Sequence, residues 1–298
     1  MKKIIGIFLI CIISCVALAK ADKAGGKLVE RSVGPCLKCD ESSPIECGYS
    51  RPLRIAGMVA NPPFGWVEKH DTGELESFGL GRLVLDKLAA KLGFTYESTG
   101  FLSYSQAVNA IETGKLDLLI SVYTPSKIGK EILPVYPGYF VNDFVAYMKK
   151  GKEISINSWN DLKGLKGVVR KEEQIYSPID EMAKRQGIDL KEVSTEKAFK
   201  MLMNGEVDYL FGSPYSENLV LRHYQLENDI VLASSKSLLD MSLFFVFTKK
   251  ADCYRLTKKF LTALHDLSKD DIEAMLQQSF DVWNKRVKEG AVFIEEDE

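Results

Sequence analysis

Three groups of side chains in this sequence have types and positions suited to chemistry. The first is a pair of aromatics just past an apolar run, where residues 57–66 read GMVANPPFGW. Pro62 and Pro63 have no N–H to give a sheet, so they end any strand and stiffen the next few residues. Phe64 and Trp66 then either plug a core or form a wall against which a guest can stack. The second group is hydroxyls. Ser213 and Tyr215 flank Pro214 at the end of the run VDYLFG, and Tyr104 opens a helix. Strand ends and helix starts line the open edge of an α/β sheet. The third is charge: Arg170 closes KGVVR and offers a guanidinium fork to an anion, or else a salt bridge. Glu172 and Glu173 come next, and a carboxyl there serves acid–base chemistry only if burial raises its pKa; on the surface it is solvated.

Motifs for other chemistry are missing. There is no G-x-S-x-G, H-E-x-x-H or P-loop, and GLGRLV (79–84) lacks the third glycine of a dinucleotide fingerprint. The three histidines, His70, His223 and His265, have no metal-ligand spacing, so neither metal nor cofactor is expected. Cys36, Cys39, Cys47 and Cys253 allow three pairings. Zinc and a redox dithiol remain open for the C-x-x-C, but it sits in a Gly/Pro/Ser-rich leader, which favours structural disulfides. The pairing expected is Cys36–Cys39 with Cys47–Cys253, the second bridge stapling the leader to the body.

The chain opens MKKIIGIFLICIISCVALAKAD: two lysines, a short apolar run and small residues in A-x-A spacing. That pattern is a secretory signal over 1–21, pointing to the periplasm, with a lipobox-like ISC at Cys15 as the lesser alternative. Its removal takes Lys2, Lys3 and Lys20 and no acid, so 36 basic residues face 41 acidic ones, a net −5. Such mild acidity gives no steering toward nucleic acid or anionic lipid.

The elements that must position these groups alternate. Residues 22–50 are a polar leader. LRIAGMV is a strand, FGLGRLVLDKLAAKLGF a helix with Leu80, Leu83, Val84, Leu88 and Leu92 on one face, and FTYEST a strand. Ser103 and Gln106 have capping-box spacing for a helix ending at Thr113-Gly114. The phrase IETGKLDLLIS (111–121) then returns as LMNGEVDYLFGS (202–213). That echo implies two similar α/β lobes with largely parallel sheets. SWNDLKGLKGVVR opens the second lobe, and SPIDEMAKRQG is a helix capped by Ser177. Two tail helices from Ala251 must cover a lobe, most simply the first, and the chain would then cross twice, near 143–150 and 242–250, as a hinge requires. Residues 51–146 with 243–288 form lobe 1 and 147–242 lobe 2.

The ordered set LRIAGMVANPPFGW, FGLGRLVLDKLAAKLGF, SYSQAVNAIETGKLDLLIS with TPSK, SWNDLKGLKGVV and FDVW resembles the bacterial extracellular solute-binding proteins of family 3, over roughly residues 51–286. The resemblance implies an α/β, two-lobed periplasmic binding protein type II fold with a double-strand hinge. It implies a small polar solute as partner, an inner-membrane ABC permease beyond it, and a monomer. It also places ligand contacts at Asn61, Phe64 or Trp66, Tyr104, Ser121, Tyr123 or Thr124, and Lys127. Three departures stand out: Lys127 replaces the family's carboxylate-gripping arginine, Ser213 its ammonium-pairing aspartate, and RKEEQ (170–174) its Gly-Thr donor stretch. Lysine lacks the bidentate fork, and a hydroxyl cannot balance a buried cation, so a carboxylate without an amine fits better than a standard α-amino acid. Arg170, Ser213 and Tyr215 complete the expected ligand set. Two other outcomes are a dehydratase of the cyclohexadienyl type on the same fold, using Glu172 or Glu173, and a sensory receptor.

Overall fold

The computed structural model describes residues 45–101, 103–123, 129–171, 179–234 and 236–294. β1 (Leu53–Ala56) leads into a small antiparallel ribbon of β2 (Ala60–Asn61), β3 (Gly65–Lys69) and β4 (Leu75–Phe78). Next come α1 (Leu80–Leu92), β5 (Tyr96–Ser98), α2 (Tyr104–Glu112), β6 (Leu118–Tyr123), β7 (Ile132–Pro134) and the long β8 (Phe140–Lys149). After a 3-10 turn at Trp159–Leu162 come β9 (Lys166–Arg170), α3 (Ile179–Gln186), β10 (Asp189–Val193) and α4 (Thr195–Asn204). The chain continues with β11 (Tyr209–Gly212), α5 (Pro214–His223), β12 (Ile230–Leu232) and the second long strand, β13 (Leu239–Thr248). The tail is a 3-10 turn at Asp252–Leu256, then α6 (Thr257–His265), α7 (Lys269–Lys288) and β14 (Val292–Phe293).

Strand pairing shows the repeat directly. β5-β1-β6 is a parallel trio, β13 runs antiparallel beside β6, and β7 caps β13. β10-β9-β11 is the second parallel trio, with β8 antiparallel beside β11 and β12 capping β8. The echoed strands β6 and β11 thus hold the same place in each half. Both are wholly buried, which is why they read as continuous apolar runs rather than alternating ones.

The halves meet through the long strands. Residues 140–144 of β8 pair with 239–243 of β13, after which β8 continues into the second half and β13 into the first. Hydrogen bonding therefore runs unbroken through ten strands, where separate sheets would have been the simpler expectation. The two echoed strands connect only by way of this two-stranded hinge.

The tail helices return to α1, as the apolar stripe of α7 requires. In that stripe Ile272, Met275, Leu276 and Trp283 are buried. Phe260 of α6 fixes the return with ring centroids 5.2 Å from Phe94, 5.8 Å from Phe245 and 4.9 Å from Phe247. β14 then pairs with β3. Sequence periodicity missed the β2–β4 ribbon, because its strands are two to five residues long and begin inside the Pro/Gly stretch.

Cys47 and Cys253 are joined, closing a separation of 206 residues beside the start of β1. The Asp252 carboxylate accepts the Glu46 and Cys47 N–H groups at 2.8 and 3.3 Å. Cys36 and Cys39 lie outside the described residues. No described helix is long and apolar enough to cross a membrane.

Candidate functional site

Side chains from both halves meet at the base of the interlobe surface in one buried polar ladder. Asn61 lies just past β1 in the first half, and Tyr123 ends β6. Asn142 lies on the hinge strand β8, while Ser213 and Ser216 stand at the start of α5 in the second half. Asn142 Nδ2 donates to Tyr123 Oη at 2.6 Å, and Asn61 Nδ2 donates to the same oxygen at 3.3 Å. Ser213 Oγ donates to Asn142 Oδ1 at 2.6 Å, and Ser216 Oγ donates to Asn61 Oδ1. Ser213 also caps α5 by accepting the Tyr215 N–H. All five side chains are buried, so each bond replaces hydration that water would otherwise supply.

Three rings cover the ladder. Phe64 lies 5.4 Å from Phe140 and 5.8 Å from Tyr215, and Phe140 lies 5.5 Å from Tyr215. One ring comes from each half and one from the hinge, at spacings normal for aromatic pairs. Ser121 holds this wall from behind. Its φ of 60° is unusual for a residue with a Cβ. That conformation lets Ser121 Oγ donate to the Phe64 carbonyl at 3.0 Å and meet Tyr139 Oη at 2.7 Å. Burial pushes the Tyr139 phenol well above its ordinary range, so it stays a neutral hydrogen-bonding partner.

Arg170 is buried at the end of β9, where its Nε donates to Glu217 Oε1 at 2.7 Å and its Nη1 lies 3.5 Å from Thr195 Oγ1. Gly212 makes room for that carboxylate, since a Cβ there would overlap Glu217 Oε1. The fork expected to meet an external anion is thus engaged by an acid of its own lobe.

The expected ligand residues therefore divide. Asn61, Tyr123 and Ser213 share the ladder, Phe64 and Tyr215 share the ring trio, and Ser121 supports the trio. Trp66 and Arg170 line a flanking cavity. Tyr104 begins α2. Thr124, Lys127, Glu172 and Glu173 fall outside the described residues. Sequence reasoning missed Asn142, Ser216, Phe140 and Glu217. Asn142 carried a usable signal, a lone amide inside the apolar strand FVNDFVAYM, because buried polar groups in strands need partners.

One described trio brings metal-ligand atoms together, Cys47, Asp252 and Cys253. Its sulfurs are bonded to each other and its carboxylate is taken by backbone N–H groups, so it acts as a staple.

The sheet topology and the hinge define a two-lobed periplasmic-binding-protein fold, and solved structures share it. An amino acid ABC transporter substrate-binding protein, AbpA of Streptococcus pneumoniae, bound to L-arginine, superposes with a TM-score of 0.61 at 19% identity, covering 78% of this chain and 95% of that one. The GluR0 ligand-binding core in complex with L-glutamate gives 0.62 at 19% identity, covering 78% and 99%. The VFT2 domain of Bordetella pertussis BvgS gives 0.62 at 16% identity, covering 76% and 92%. No family model and no curated protein matches the sequence.

Proposed function

We propose that this protein is an exported receptor that captures a small polar solute between its lobes and hands it to an ABC permease. One observation carries the reading. The surface where the halves meet carries, beside its apolar contacts, a buried hydrogen-bonded ladder from Asn61 to Ser213 that crosses the hinge. Such contacts exchange readily for those of a polar guest, because every donor and acceptor has an equivalent in solute or water. Closure about β8 and β13 then removes water from the guest and strengthens its hydrogen bonds. Solved structures with the same fold include proteins crystallised with L-arginine and L-glutamate, which supports a solute of that size.

The test is thermal unfolding against a panel of amino acids, organic acids and neutral aromatic amides. A true ligand raises Tm with the logarithm of its concentration, by roughly 5–10 °C at a hundredfold excess over Kd. Absence of a shift for every panel member would sink the reading. Saturable binding with no turnover of prephenate or arogenate separates it from the dehydratase alternative.

A sensory role is the second reading. Two similar structures favour it, the BvgS VFT2 domain and a histidine kinase sensor domain that covers 81% of this chain. Co-purification of a membrane partner other than a permease distinguishes the two.

A further inference from the structure

A second interlobe locus lies beside the ladder and has different chemistry. It is a cavity of about 40 Å³, with Trp66, Trp283 and Phe293 on the first-half side and His223 and Tyr224, at the end of α5, on the other. Trp66 meets Trp283 edge-on at 5.3 Å, and Phe293 lies 4.3 Å from Trp283. Arg170 and Thr195 line the same space and supply its polar groups. Room for a water or so is present, and no ring fits while the lobes are closed.

Two features separate this void from a packing flaw. Its walls belong to both halves, so its size depends on the hinge. One wall is the terminal strand β14, held by pairing to Lys69 and Glu68 and by the Ile294 N–H to the Val67 carbonyl, with Val292 60% exposed. The strand is two residues long and its Val292 faces solvent, while Phe293 packs on Trp283, so moving it uncovers the cavity's ring wall. A ring-lined void also forfeits dispersion contacts, which a ring-shaped guest restores.

Charge narrows the guest. Arg170 carries the one permanent charge among the described lining residues, and Glu217 already balances it. A second carboxylate would meet Glu217 without a cation of its own, whereas a neutral acceptor needs none. We propose that this cavity binds a planar aromatic ring carrying a neutral hydrogen-bonding edge, admitted by hinge opening and enclosed by β14. The proposal rests on the solute-capture reading and specifies its guest.

Indole N–H resonances of the isotope-labelled protein give the test. Trp66 donates to Glu68, and Trp159 lies outside the cavity and donates to the Leu238 carbonyl, which makes it an internal reference. Nicotinamide should move the Trp66 and Trp283 signals saturably and leave Trp159 in place. Nicotinate and cyclohexanecarboxamide should each bind about tenfold more weakly, lacking respectively the neutral edge and the ring. Phe293→Ala and the milder Phe293→Leu should weaken nicotinamide roughly three- to tenfold, with the Trp159 signal certifying the fold. No saturable movement with nicotinamide overturns the site, as does equal binding of the saturated ring. Equal binding of nicotinate overturns the neutral-edge assignment, and unaltered affinity in both Phe293 variants overturns the role of β14. An amino-acid panel that raises Tm while both indoles stay still removes this site and leaves the capture reading standing.

Discussion

Asp117 and Asp208 occupy the same place in two copies of one local structure. In each, a helix ends at a left-handed glycine, Gly114 with φ 76° or Gly205 with φ 74°. The next two residues donate back to a single helical carbonyl, that of Ala110 or of Met201. The aspartate N–H then donates to the carbonyl of the first trio strand, Arg54 or Lys166, and its carboxylate accepts the N–H of that same residue, at 2.9 and 2.7 Å. There the likeness stops. Asp117 is fully buried and takes ion pairs from Arg51 at 2.6 Å and Arg54 at 2.8 Å, beside the Cys47–Cys253 bridge. Asp208 is exposed, and the strand N–H reaches its carboxylate from the protein side while water reaches the other. At this one step the first half adds charge and a covalent bond, while the second relies on backbone geometry and keeps its buried ion pair, Arg170–Glu217, elsewhere. The same fold step tolerates both.

Mutation can test this asymmetry. Asp117→Asn should cost about 3–5 kcal/mol, because it strips a buried acid from two arginines. Asp208→Asn should cost about 1 kcal/mol or less, one partly solvated hydrogen bond. Urea unfolding of the two variants measures both, and equal losses would refute the difference. The dependence on pH has a definite sign. Burial alone would raise the Asp117 carboxyl, but the hydrogen bonds from Arg54 and Arg51 outweigh it and hold the pKa below the usual carboxylate range. Its contribution is present above that range and is lost as pH falls through the lowered value, a dependence that Asp117→Asn should flatten.

Next in size is the staple. Replacing Cys47 and Cys253 by serine should cost about 2–5 kcal/mol, given the long loop it closes. Hydrogen exchange would then show protection falling mainly in the first half. Third, Gly212→Ala should cost about 2 kcal/mol by driving a methyl into Glu217. Ser121→Ala, at the equivalent position of the other copy, should cost about 1–2 kcal/mol by leaving the Phe64 carbonyl with the Gly81 N–H alone and removing the hydroxyl that meets Tyr139 Oη. The smallest effect lies on the hinge, where Asp143 and Asp240 face each other across the strands. Burial first, and then the Asp240 charge, raise the Asp143 carboxyl, so the folded state favours its protonated form. Stability should therefore rise as pH falls toward the carboxylate range. Asp143→Asn should gain a few tenths of a kcal/mol at neutral pH, since the pair is partly exposed and screened.

The repeat was legible in the sequence because its parts are local. Glycine after a helix, an aspartate three residues on, and an unbroken apolar strand each have a mechanism confined to about a dozen residues. The hinge was legible as two long apolar segments, but its pairing was not, since register between residues 140 and 243 depends on contacts a hundred positions apart. The site divides in the same way. Asn61, Phe64, Ser213 and Tyr215 stand at strand ends, where position alone points to a cleft. Asn142 and Phe140 lie on the hinge strand and Glu217 within a helix; Asn142 alone carried a signal, as an amide in an apolar run, and the partners of all three are set by tertiary packing. Arg170 shows the cost of reading a residue singly: its charge was plain, and its acid partner 47 positions away was not.

The exchange of strand halves at the hinge has a consequence for biogenesis. The second lobe draws its sheet from one contiguous stretch, β8 to β12, and is complete once those residues have emerged. The first begins earlier but waits for β13, Cys253, α6, α7 and β14 before its edge, its staple and its cover exist. The part translated first is therefore the last to mature, and a chain truncated after β12 would carry a finished lobe attached to an open one.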